Sequence, residues 1–83
     1  MRLLVVEDEK KVAEFIRRGL DEEGYTVDVA ADGEEGLNLA LSRGHDLVIL
    51  DINLPKIEGL EVLRRLRESG FSAPVLLLTV RAT

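Results

Sequence analysis

Short apolar runs, each closing abruptly on a polar residue and each followed by an amphipathic stretch, set the rhythm of this chain. The first is Leu3-Leu4-Val5-Val6, which stops at Glu7-Asp8-Glu9. A continuous run of branched aliphatic residues suits a strand buried on both faces. Val12, Phe15, Ile16 and Leu20 then recur at helical spacing, with Lys10, Lys11, Glu14, Arg17 and Arg18 on the other face. Asp8 or Glu9 is placed to cap that helix, and Gly24 to end it. Tyr25 to Ala30 alternates as a strand exposed on one side does, which places it at a sheet edge. Asp32, with Glu35 three residues on, is a capping signature for a second helix. That helix has Leu37, Ala40 and Leu41 as its apolar face and stops at Gly44.

Leu47-Val48-Ile49-Leu50 is the clearest buried strand, and Asp51 terminates it. Asn53-Leu54-Pro55 forms a loop. A third helix is predicted from about Glu58 to Ser69, with Leu60, Leu63 and Leu66 inward and Gly70 as its stop. Arg64, Arg65 and Arg67 form a basic stripe that reads as a solvated helix face rather than a nucleic-acid patch. Pro74 to Thr79 is a fourth apolar strand. The order βαβαβαβ implies a parallel sheet with helices on both faces and right-handed crossovers.

Composition narrows the function. With 11 basic and 16 acidic residues the net charge is −5, which argues against nucleic-acid binding by this segment. There is no cysteine and one histidine, His45, so thiolate and multi-histidine metal sites are excluded. His45 precedes the third strand and reads as a loop residue far from any site. The apolar runs are too short to span a membrane. No signal peptide precedes the first strand, and the expectation is a soluble, cytoplasmic protein. The 83 residues make one small domain at most.

In parallel α/β sheets the functional site lies at the carboxyl ends of the strands. Glu7, Asp8, Asp51 and Thr79 all fall there. Two carboxylates about 4 Å apart repel by about 4 kcal/mol at an effective dielectric near 20, so three together call for a cation. Oxygen donors without His or Cys suit Mg²⁺. The plainer alternative is that these acids cap helices and cover the sheet end.

Leu3 to Glu9, Leu47 to Pro55 with Gly59, and Val75-Leu76-Leu77-Leu78-Thr79 together resemble a response-regulator receiver over the whole chain. The phrasing is nearest to the OmpR/PhoB-type transcription factors, and within them to the heavy-metal-responsive branch. The resemblance implies a flavodoxin-like (CheY-like) α/β fold with strand order 2-1-3-4, incomplete at its end. It also implies roles. Asp51 would accept a phosphoryl group from the phosphohistidine of a sensor histidine kinase. Asp8 and Asp51 would hold Mg²⁺, with Asn53 giving its backbone carbonyl and Glu7 acting through water. Thr79 would donate its hydroxyl to the phosphoryl group, and Pro55 and Gly59 would shape the adjoining loop. The parent would be a DNA-binding transcriptional regulator.

Receivers of this family have five βα units, so residues 1–83 read as a single partial domain. The family's lysine and its aromatic switch residue, both on later elements, are not among them, and Lys10, Lys11 and Lys56 lie in other positions. An acyl phosphate here is therefore expected to be short-lived or unformed. Val80 stands where the family favours a small residue. The fourth strand would be an open, apolar edge able to pair with another chain, and a symmetric homodimer or a swapped assembly with that strand at or near the interface is expected.

Two other readings compete. One is a truncated or engineered half-fold that self-assembles without signalling. The other is an aspartate-nucleophile phosphohydrolase of the haloacid-dehalogenase type. That reading needs an acid where Asn53 stands, and it leaves the Glu7-Asp8 pair unexplained.

Overall fold

A computed structural model of the chain describes residues 1–78. The elements alternate as the apolar runs dictate: β1 (Arg2–Val6), α1 (Lys10–Glu22), β2 (Thr26–Ala30), α2 (Gly33–Arg43), β3 (Leu47–Asp51), α3 (Gly59–Glu68) and β4 (Val75–Leu78). The strands form one parallel sheet in the order β2-β1-β3-β4. Among the described residues β2 and β4 are its edges, as expected.

Strand alternation sorts the aliphatic side chains to two faces. Leu4, Val6, Val48 and Leu50 point to one side, where they pack with Ala40 of α2 and Val62 and Leu66 of α3 into the buried core. Leu3, Leu47, Ile49 and Leu76 line the other side beside Leu20 of α1. Leu4, Val5, Val48, Leu50 and Leu66 have no exposed surface, so the central strands carry most of the burial.

Three inward assignments need correction. Phe15 is 81% exposed and Leu60 is 56% exposed, and Leu41 also faces solvent. In α1 the buried residue is Ala13, flanked by the half-buried Val12, Ile16 and Leu20. Phe15 lies off that stripe. In α3 the buried stripe is Gly59, Val62 and Leu66; Leu63 is half-buried and Leu60 lies outside it.

Helix caps divide in the same way. Asp32 Oδ1 accepts the Glu35 N–H at 2.8 Å, and Glu35 Oε1 accepts the Ala31 N–H at 2.9 Å, the reciprocal pair expected. At α1 neither Asp8 nor Glu9 supplies the expected cap; Glu9 occupies the cap position without a side-chain bond. The Glu9 N–H instead donates to Glu7 Oε2 at 3.1 Å, because the acids at this end turn toward one another.

The basic stripe on α3 is held by its own helix. Arg64 pairs with Glu61 and, at 2.7 Å, with Glu68, while Arg65 reaches Glu61 at 2.9 Å. Arg67 Nη1 donates to the carbonyls of Phe71 and Ala73 at 2.7 and 2.9 Å. It thereby ties the α3–β4 turn to the helix.

Candidate functional site

The sheet register brings the acids together. Val6 of β1 is opposite Leu50 of β3, so the residues that follow, Glu7 and Asp51, leave the sheet side by side. The Glu7 N–H donates to Ala30 O at 3.0 Å and the Ile52 N–H to Leu78 O at 3.1 Å. These bonds carry the strand pairing one step past the buried core and fix both acids at the sheet end. Asp8 comes next in the turn into α1. Glu7, Asp8 and Asp51 each offer a carboxylate oxygen, and these atoms lie within 4.8 Å of one another.

Glu7 and Asp51 are buried, while Asp8 is exposed. Burial pushes the Glu7 carboxyl up to about 7, against the opposing pull of the Glu9 N–H; the Asp51 charge and hydrogen bonds with Asp8 and Asp51 raise it further. Ion pairs among the described residues involve Glu14, Asp28, Asp32, Glu61 and Glu68, and none of these three acids. Hard oxygen donors this close, without a basic partner, fit a small divalent cation, Mg²⁺ in particular. The plainer expectation that these acids cap a helix is not met at α1, whose cap residue Glu9 makes no side-chain bond.

Asn53 sits beside Asp51, with its N–H donating to Asp51 Oδ1 at 3.1 Å. The loop continues through Pro55, whose carbonyl accepts the Ile57 N–H at 2.8 Å and the Gly33 N–H at 3.3 Å. Gly59 opens α3 hard against the end of β3: a Cβ there would lie 2.2 Å from Asp51 O. Thr79 lies outside the described residues, as does Val80.

The opposite end of the sheet holds a polar cluster that the sequence reading missed. His45 lies in the loop before β3, as expected, and is buried, with its Nε2 2.8 Å from Asp28 Oδ2. Arg2 and Arg43 approach the same carboxylate at 3.2 and 3.5 Å. Burial raises Asp28, but His45, Arg2 and Arg43 outweigh it and hold the acid below its ordinary value. The signal available was the charged Asp28 between the apolar Val27 and Val29 of β2. The cluster lies away from the acids, as the placement of His45 implied.

The chain belongs to the response-regulator receiver family: residues 3–83 match the family described as the response regulator receiver domain. It is 54% identical over 82 residues to the transcriptional regulatory protein DltR of Streptococcus agalactiae, covering 99% of this chain and 37% of that protein. It is 47% identical over 83 residues to the transcriptional regulatory protein CusR of Escherichia coli, covering 100% of this chain and 37% of that protein. The fold matches the response regulator TrrA of Thermotoga maritima, solved in complex with Mg²⁺-BeF, with a TM-score of 0.91 and 46% identity over 98% of this chain and 70% of that one. The chain thus spans little more than a third of the two regulators' length. Membership of a signalling family sets the phosphohydrolase reading aside. No helix among the described residues is long and apolar enough to cross a membrane.

Proposed function

We propose that this chain is the phosphoacceptor receiver of a cytoplasmic, DNA-binding transcriptional regulator, and that Asp51 takes the phosphoryl group. The observation that carries the reading is the trio of carboxylate oxygens within 4.8 Å at the sheet end, with Asp51 closing β3. An Asp51 oxygen attacks phosphorus in the phosphohistidine of a sensor kinase. The N–P bond breaks, the electron pair returns to the imidazole, and an acyl phosphate forms. Mg²⁺, when bound, supplies positive charge to the phosphoryl oxygens. Asp8, Asp51 and the Asn53 carbonyl would hold it, with Glu7 acting through water, and the Thr79 hydroxyl would donate to the phosphoryl group. Asn53 N–H, bonded to Asp51 Oδ1, orients the nucleophile.

The test is incubation with Mg²⁺ and acetyl phosphate, a rapid acid quench, and intact mass. One added phosphoryl group, at the low occupancy that a short-lived acyl phosphate leaves, is expected in the unsubstituted chain and none in Asp51→Ala. Equal labelling of both proteins, or of neither, would refute the assignment.

The same reading extends to assembly as a homodimer through β4. Support comes from that edge strand, where Leu76 is 54% and Leu77 39% exposed. Successive residues point to opposite faces, so a second copy would cover apolar surface on both and pair the open backbone groups. Sedimentation of the 83-residue chain at micromolar concentration should give twice the chain mass, with Leu76→Lys shifting it to the monomer. A monomeric parent would end this part of the proposal. A dimer that takes up no phosphoryl group would favour the self-assembling half-fold instead.

A further inference from the structure

The loop that carries Asn53 from β3 to α3 holds Lys56 at φ 68°, the only non-glycine residue with positive φ among the described residues. The Ile57 N–H donates to Pro55 O at 2.8 Å across Lys56, closing a three-residue turn. With positive φ at its centre, such a turn is rare and strained. Conformations of this kind persist only where surrounding structure imposes them.

The imposing structure is the first turn of α2. The Gly33 N–H donates to the same Pro55 carbonyl at 3.3 Å. Asp32 Oδ2 lies 3.6 Å from Lys56 Nζ, while its Oδ1 caps α2 through the Glu35 N–H. Gly33 also meets the loop backbone directly: a Cβ at this position would lie 2.0 Å from Ile57 O and 2.9 Å from Ile57 C. One helix end thus grips the loop by a hydrogen bond, an ion pair and a backbone contact that only glycine permits.

From this geometry we infer that Asp32 and Gly33 are positioning residues for the acidic site, clamping the Pro55–Ile57 turn and through it the Asn53 backbone beside Asp51. The inference rests on the proposed metal-binding role of that site. Neither residue is one of its proposed ligands. Their effect passes through Lys56 and Pro55.

Two variants of the 83-residue chain test it, with Mn²⁺ as a paramagnetic stand-in for Mg²⁺. Gly33→Ala should move the amide resonances of Asn53, Leu54, Lys56 and Ile57 in metal-free protein and weaken Mn²⁺ binding about tenfold, the scale typical of losing support behind a ligand. Lys56→Gly relieves the strained φ and removes a nearby cation. Electrostatics alone would then tighten Mn²⁺ binding. The clamp predicts the reverse: a higher melting temperature with weaker Mn²⁺ binding. Should Gly33→Ala fail to fold, the Lys56→Gly result stands by itself. Binding in Lys56→Gly as tight as in the parent, or unmoved loop amides in Gly33→Ala, would overturn the inference. A parent that binds no Mn²⁺ would defeat the proposed function instead, and the Gly33→Ala amide shifts would then decide the clamp alone.

Discussion

Gly59→Ala is expected to destabilise the chain by about 3 kcal/mol, the upper range for forcing volume into a packed site. The added Cβ would lie 2.2 Å from Asp51 O, 2.7 Å from Ile52 Cα and 3.0 Å from Asp51 C. These are backbone atoms at the end of β3, and no side-chain rotation relieves them. The strain has to be met by withdrawing α3 from the strand, yet α3 is anchored by Val62 and Leu66, which are buried in the core. Against a total stability of about 5–15 kcal/mol for a domain, and less margin in one this small, such a loss is large. Gly19 is the control. It lies inside α1 with nothing within 4 Å of its Cβ position, so Gly19→Ala should stabilise by about 0.5–1 kcal/mol. Urea denaturation followed by circular dichroism measures both. A Gly59→Ala midpoint equal to that of the parent would show that α3 does not seat against β3 in this way.

That contact also explains why the sequence misled on α3. Its apolar residues occupy 60, 62, 63 and 66, and helical periodicity accommodates either a Leu60–Leu63 face or a Val62–Leu66 face. Gly59 decides between them, because its approach to Asp51 O turns 59, 62 and 66 inward. Nothing in local periodicity records a contact between a helix start and a strand end. Phe15 misled for a related reason: size and apolarity marked it as core, but Ala13 takes the close position against the sheet. The acids were legible because strand ends follow from the abrupt close of each apolar run, and parallel order puts those ends on one edge. The strained Lys56 and its grip by α2 were not legible. They join residues more than twenty positions apart through backbone atoms, which side-chain identity does not reveal. The pairing of His45 stayed hidden because its partner Asp28 lies on β2, where no local pattern links the two side chains.

In metal-free protein, stability should fall by about 3 kcal/mol as the pH rises from about 4.5 to about 7, and Glu7→Gln should remove that slope. Glu7 sits in the fold with its carboxyl raised from 4.5 to about 7, chiefly by burial and then by the Asp51 charge, with the Glu9 N–H opposing. Between those values the folded chain holds a proton that the unfolded chain has released, so raising the pH favours unfolding. Below about 4.5 both states are protonated and the contribution is full. Above about 7 both are ionised and it is gone. The depressed acids Asp28 and Asp32 act in another window: their contribution is present above their ordinary 3.8 and disappears only as the pH falls below it. A glutamine at position 7 keeps a carbonyl for the Glu9 N–H and carries no charge to bury, so Glu7→Gln should exceed the parent in stability at pH 7.5. Mg²⁺ should reverse the ranking by stabilising the ionised parent more than the variant, and its effect on the parent should grow with pH. Melting curves of both proteins at pH 5 and 7.5, with and without Mg²⁺, give the comparison. A parent whose pH dependence matches that of Glu7→Gln would mean that Glu7 is ionised throughout, with the acids already neutralised by something other than a proton.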